Sequence, residues 1–242
     1  LSNSRRWLGT GCKRRFYLQY IEGLRPKRKK SYFKFGSYWH LFQETLFSET
    51  MFGREVDYAS IVSQIKEYVL KKEPTELPEE KEETLEMTEL LVGMMERYEP
   101  EYRSIISKYD ILGVEVPYRL KFSWNRRGTG EIHPKLSIQL LDLKSDERPK
   151  NELVGVIDLI VREKNDNGVF FMEHKTTGED VQLYESKLNH SYQRYGYSIA
   201  VRKLTEKNNW GKFIGVIYNV AEKKIPKYPT MNQCHKCKGS KI

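Results

Sequence analysis

The chain has 242 residues, 38% of them hydrophobic and 31% charged, with a formal net charge of +9. That length supports one large domain with a core of useful size. No apolar run approaches the about 18 residues of a membrane span, and three cysteines exclude a disulfide framework and point to a reducing, cytoplasmic compartment.

The positive charge is local. Leu1 to His40 carries eleven Lys/Arg against one acidic residue, Glu22, for +10, whereas Glu67 to Glu101 carries twelve acidic residues against four basic, for −8. A basic stretch with interleaved aromatics suits a polyanion such as a nucleic acid, the alternative being a solvated basic surface. The first residues hold no apolar signal-peptide core. The chain does not begin with Met, so it is expected to be trimmed at its front.

Ser2 or Asn3 is positioned to cap a first helix running to about Glu22. Leu8, Cys12, Phe16 and Tyr20, with Tyr17, Ile21 and Leu24 beside them, predict an apolar stripe facing a core. Arg5, Arg6, Lys13, Arg14 and Arg15 decorate the rest. Gly23 and Pro26 stop the helix, and Lys27, Arg28, Lys29 and Lys30 form a basic loop suited to a phosphate backbone or to no role. Phe33 to Phe52 reads as an aromatic-rich helix that carries His40. Asp57 to Lys72 reads as an amphipathic helix, Glu73 to Glu83 as an exposed acidic linker, and Thr84 to Lys108 as a further helix. In the last, Leu85, Thr88, Leu91, Val92, Met95 and Tyr98 share one side. The acidity of this helical section argues against its lining a nucleic-acid channel.

Strand patterns follow. Gly113 to Trp124 alternates, with Val114, Val116, Tyr118, Leu120 and Phe122 on one face. Asn125 to Gly130 reads as a polar turn and Leu136 to Leu143 as a second strand. The run Leu153 to Val161 carries Gly155-Val156-Ile157-Asp158, and Val169 to Lys175 ends in Glu173-His174-Lys175. Between them, Glu163 to Gly168 reads as a hairpin turn. Antiparallel pairing brings Asp158 and Glu173 together, and alternation puts Glu173 and Lys175 on one face with His174 on the other. Two close carboxylates repel and need a proton or a cation between them. Oxygen ligands suit Mg²⁺ or Mn²⁺, and a lysine there can orient a water. The alternative is a surface hairpin with ordinary salt bridges.

Leu188 to Leu204 reads as a helix with an apolar row of Tyr192, Tyr195 and Ile199, while Gln193 and Tyr197 share a face. Phe213 to Ala221 reads as the last strand. Cys234-His235-Lys236-Cys237 closes the chain. By itself this pair fits a redox pair, half a zinc site or part of a cluster site.

The order Phe35-Gly36-Ser37-x-x-His40-x-x-x-Glu44, then Gly155-x-x-Asp158, Glu173-x-Lys175 and Gln193-x-x-x-Tyr197 resembles the PD-(D/E)XK nuclease superfamily. It looks most like the RecB-type branch, with its phage exonucleases, AddB-type nucleases and CRISPR-associated iron–sulfur exonucleases. The resemblance runs from Ser2 to Cys237. It implies an α/β fold, a mixed central β-sheet flanked by helices with an αβββαβ core, here with a helical insertion. It implies His40, Asp158, Glu173 and the carbonyl of His174 as metal ligands. It implies Lys175 as the water-orienting residue, and Gln193 and Tyr197 against the scissile strand. In this branch a Glu on the strand of Glu115 often lies near the metal; an edge-strand surface carboxylate is the alternative for Glu115. Cys12 with Cys234 and Cys237 resembles the layout of the iron–sulfur branch, in which a [4Fe–4S] cluster takes four thiolates. Three are present, so the fourth is expected beyond Ile242 or the site is lost.

The expectation is one nuclease domain over 1–242, with a helical insertion at 53–110 and a cysteine-containing tail at 222–242. Its activity would be metal-dependent hydrolysis of DNA, from single- or double-stranded ends, in recombination, repair or phage DNA processing, with a helicase or recombination partner and no membrane. A non-catalytic DNA-binding module and a nuclease acting on RNA are the alternatives. The intact His40, Asp158, Glu173 and Lys175 set argues against the former.

Overall fold

Among the described residues, five strands form one sheet in the order β2-β1-β3-β4-β5. They are β1 (Tyr109–Arg126), β2 (Ile132–Gln139), β3 (Glu152–Glu163), β4 (Gly168–Thr177) and β5 (Lys212–Glu222). The computed structural model describes residues 13–24, 31–73, 78–126, 132–139, 152–188 and 192–224. β1 pairs antiparallel with both β2 and β3, β3 antiparallel with β4, and β4 parallel with β5. The parallel pair requires a crossover, supplied by α5 (Val181–Leu188) and α6 (Tyr192–Asn208). Ahead of the sheet come α1 (Lys13–Phe16, continued by a π-helical turn at Tyr17–Ile21), α2 (Ser31–Met51), α3 (Tyr58–Lys72) and α4 (Pro78–Lys108). Taking α2, β1, β3, β4, α6 and β5 in order gives αβββαβ. β2 is an added edge strand, and α3 and α4 intervene between α2 and β1.

Local chemistry accounts for the element ends. The Asp57 side chain accepts from the Ser60 N–H at 3.0 Å and caps α3. Lys71 and Lys72 occupy its last turn, where cations suit the helix dipole. In the β3–β4 hairpin Asn167 takes a left-handed φ of 59°, and the Asp166 side chain accepts from the Gly168 N–H at 2.7 Å.

The sheet packs on both faces. On one, Trp39, Phe42, Leu46 and Phe47 of α2 join residues of α3 and α4 over Leu159, Val161 and Met172. On the other, Tyr197, Ala200, Val201 and Leu204 of α6 cover Tyr118, Ile157, Ile160 and Phe171. Each such fully buried aliphatic or aromatic side chain contributes about 1.5–3 kcal/mol. Gly155 has a specific reason: a Cβ there would lie 2.7 Å from the Tyr118 ring, its partner across the β1–β3 ladder.

Several expectations are corrected. The β1 alternation does not hold through Val114. Val114 packs with the α2 side, whereas Val116, Tyr118 and Leu120 pack with the α6 side. The register shifts between Ile111 and Gly113, and Glu115 has φ 45°, which turns the strand over. The predicted row on α6 fails because Tyr195 and Ile199 are exposed; Tyr197, Ala200, Val201 and Leu204 are the buried row. The helix expected at 188–204 is described at Tyr192–Asn208, and a further helix precedes it at Val181–Leu188. On α1 and the residues after it, Tyr17, Ile21 and Leu24 are exposed rather than core-facing. Leu85 of α4 is also exposed, and that helix begins at Pro78, inside the expected linker. Among the described residues the second strand covers Ile132–Gln139, starting ahead of the expected 136, and β1 runs into the expected turn as far as Arg126. No described helix is long and apolar enough to cross a membrane.

Candidate metal centre

Asp158 sits where the sheet opens. The β3–β4 register pairs Leu159 with Met172 and no residue further along. Beyond that pair the Asp158 Oδ2 accepts from the His174 backbone N–H at 2.8 Å, so the carboxylate replaces a ladder bond and is fixed to β4. On its other side the β1–β3 register pairs Val114 with Leu159 and Val116 with Ile157, which puts Glu115 across from Asp158. The left-handed backbone of Glu115 costs about 1 kcal/mol or more and is the kind of strain found at functional sites. The pleat breaks in both strands at this one level: Ile157 and Leu159 also face opposite sides of the sheet.

Helix α2 delivers the third donor. His40 Nδ1 lies 3.6 Å from Asp158 Oδ2. One ligand atom each from His40, Glu115 and Asp158 falls within 4.8 Å of the others. Burial pushes the His40 imidazole below its usual range, against the raising effect of Asp158, leaving a neutral ring with a lone pair to donate. Burial, then the carboxylates of Asp158, Glu44 and Glu173, push the Glu115 carboxyl up to about 8. A carboxylate-rich, partly desolvated cluster with a neutral imidazole fits a divalent cation, whose charge would replace the proton on Glu115.

Glu173 and Lys175 form the adjoining pair. Glu173 is 2% exposed. Its Oε1 accepts from the Lys175 ammonium, and its Oε2 is buried with no hydrogen-bond partner. Burial raises the Glu173 carboxyl, against the Lys175 charge. Burial lowers the Lys175 ammonium, but Glu173 and Asp158 outweigh it and hold it above its usual range. Lys175 also reaches the Gln193 Oε1 at 3.4 Å, and Gln193 Nε2 donates to the Tyr197 hydroxyl at 2.7 Å. Tyr197 is clamped edge-on by Tyr118 and Phe171. The chain Glu173–Lys175–Gln193–Tyr197 therefore anchors the ammonium in the α6-side core.

His40, Asp158, Glu173, Lys175, Gln193 and Tyr197 are thus brought to one place. Glu173 lies outside the three-donor cluster, in which Glu115 stands instead. Tyr197 is only 4% exposed, so its ring supports Gln193 rather than lying open to a strand. The His174 side chain faces α2, stacked on Phe47 with centroids 5.6 Å apart, and burial pushes its pKa down to about 3. Lys13 and Arg14 are exposed on α1, which also contains Arg15. Arg5, Arg6, Lys27, Arg28, Lys29 and Lys30, and the cysteines Cys12, Cys234 and Cys237, lie outside the described residues. Sequence reasoning left Glu115 undecided, although an acid between Val114 and Val116 in an apolar strand is the signal that marks it. It missed Tyr68, Lys72, Thr176 and Lys223, which line the same cleft as the donors. Of the helical section, the last turns of α3, through Tyr68 and Lys72, reach the site.

No curated protein matches the chain. The family profile described as the PD-(D/E)XK nuclease superfamily matches residues 1–237, nearly the whole length. With a mixed sheet in αβββαβ order and an acidic site at its opening, the chain belongs to the PD-(D/E)XK nuclease superfamily.

Proposed function

We propose that this protein is a divalent-metal-dependent deoxyribonuclease that acts on DNA ends. The observation that carries the reading is the convergence of His40, Glu115 and Asp158 within 4.8 Å, beside a charged lysine held on Glu173. His40, Glu115 and Asp158 would hold Mg²⁺ or Mn²⁺, with the orphaned Glu173 Oε2 as a further oxygen donor. A divalent ion there would supply Lewis-acid activation of a phosphodiester and of the attacking water. Lys175 orients that water and stabilises negative charge as it develops on the phosphate. Gln193 keeps the Lys175 ammonium in place, and Tyr197 keeps Gln193 in place. Exposed Lys13 and Arg14 belong to the basic N-terminal stretch, whose charge suits a DNA backbone.

The ordered Lys175–Glu173 pair favours this reading over a non-catalytic DNA-binding module, which has no use for a desolvated ammonium beside the donors. The test is hydrolysis of DNA labelled at its 5′ or 3′ end, linear or circular, with Mg²⁺, Mn²⁺ or EDTA. The expected result is metal-dependent loss of linear DNA with circles spared. No hydrolysis of any DNA with either metal would remove the reading, and equal cutting of circles would remove its end dependence.

A further inference from the structure

The cleft that holds His40, Glu115, Asp158 and Lys175 has a volume of about 800 Å³ and is also lined by Tyr38, Tyr68, Lys72 and Lys223. None of these last four is needed for the metal chemistry. Tyr68, on the last turns of α3, is 42% exposed although it lies in a cleft. Its ring is propped edge-on by Tyr38, with centroids 6.3 Å apart and planes at 78°. Tyr38 is itself fixed, because its hydroxyl donates to Glu73 Oε1 at 2.5 Å while Lys34 pairs with Glu73 Oε2 at 2.5 Å. The exposed tyrosine therefore stands on a support that ties the start of α2 to the end of α3. Lys72 donates to the Tyr68 hydroxyl at 2.8 Å, and Lys223 lies 5.1 Å from the Phe35 ring centroid.

A half-exposed aromatic ring, braced by a second ring in a cleft that also holds two ammonium groups, is what an unpaired nucleotide requires: a surface for the base to stack on and cations for its phosphates. Bases inside a duplex are already stacked and cannot reach such a ring. We infer that this part of the cleft is a subsite for one unpaired nucleotide beside the scissile phosphate, its base on Tyr68 and its phosphates against Lys72 and Lys223. The substrate strand at the site is then single-stranded DNA. The inference rests on the nuclease reading above and deepens it.

The test is fluorescence anisotropy of the full chain in EDTA, with a short labelled oligothymidylate, a set carrying one abasic site at successive positions, and a blunt duplex of equal length. The single strand is expected to bind more tightly than the duplex. One abasic position should weaken wild-type binding about tenfold, the scale of one lost base–aromatic stack. Tyr68→Ala should weaken the intact strand to the same degree and erase that abasic penalty, while Tyr68→Phe keeps both. Lys72→Gln should flatten the salt dependence by roughly 0.7 in slope, one phosphate contact on a single strand. Wild-type affinity in Tyr68→Ala, an abasic penalty that survives it, or equal binding of the duplex would overturn the subsite. The expected binding pattern without cleavage in Mg²⁺ or Mn²⁺ supports the subsite and removes only the hydrolytic reading.

Discussion

Glu115 stands across the β1–β3 ladder from Asp158, and both residues sit where their strands reverse which side chains face which helix layer. The two carboxylates are therefore placed by a shared break in the pleat. Glu115→Gln keeps the shape and removes the charge. It should weaken Mn²⁺ binding at least about tenfold, within the range seen when groups around a metal site are changed, and lower cleavage with it. Asp158→Ala should do both more severely, because it also strands the His174 N–H. Calorimetric titration with Mn²⁺ reads the effect, and unchanged affinity in Glu115→Gln would exclude Glu115 as a ligand.

The protonation of Glu115 gives the metal-free protein a pH signature. Its folded pKa of about 8 lies above the ordinary value of 4.5. Between those values the folded state binds the extra proton, so this contribution is full below 4.5 and is lost as pH rises through about 8. Raised Glu173 adds in the same direction. The lowered His40 and His174 act in the opposite direction below about pH 6.5, so melting temperature in EDTA should fall between about pH 7 and about pH 9. Saturating Mg²⁺ or Mn²⁺ should flatten the curve by taking the place of the proton, and Glu115→Gln should flatten it without metal. A metal-free melting temperature that rises over this window would contradict the assignment.

Lys175 is held charged by Glu173 and Asp158 despite its burial. Lys175→Ala should slow single-turnover cleavage by about 10²–10³-fold or more, the scale of losing one donor aimed at developing charge. DNA affinity measured by anisotropy should stay within a few-fold of wild type. Near-wild-type turnover would show that another group positions the water.

Tyr197 separates support from packing. Tyr197→Phe removes the hydroxyl that accepts from Gln193 and leaves the ring between Tyr118 and Phe171. It should cut kcat several-fold with a small change in melting temperature. Tyr197→Ala opens a cavity in the α6-side core and should cost about 3–5 kcal/mol by chemical denaturation. Unchanged kcat in Tyr197→Phe would break the proposed link from Tyr197 through Gln193 to Lys175.

What was legible in the sequence follows from how local each signal is. The opposite facing of His174 relative to Glu173 and Lys175 needs only period-two alternation within β4. His40 on a helix needs only the aromatic pattern of α2. Glu115 could be placed only by a register between strands more than forty residues apart, with a shift that Gly113 hints at but does not by itself fix. A left-handed Glu leaves no compositional trace, so the alternation from Val114 to Leu120 looks continuous. On α6, Tyr195 counts as apolar but lies in solvent with the Arg194 guanidinium 6.0 Å from its ring centroid. Tyrosine carries both characters, and only packing decides between them. The cleft wall of Tyr68, Lys72 and Lys223 joins α3 to the end of β5, a meeting that exists only in the tertiary fold.

The left-handed backbone at Glu115 also bears on how such a site decays. Glycine and asparagine adopt that conformation with less strain than glutamate, and neither adds a carboxylate to the repulsion around Asp158. Replacing the acid by either one relieves the backbone and the electrostatics together. A lineage released from selection for cutting would thus drift downhill in free energy at this position, and the way back would be uphill. Retention of an acid at residue 115 is therefore a sign of continued use, and its replacement by glycine or asparagine would be an early mark of a relative kept for its shape alone.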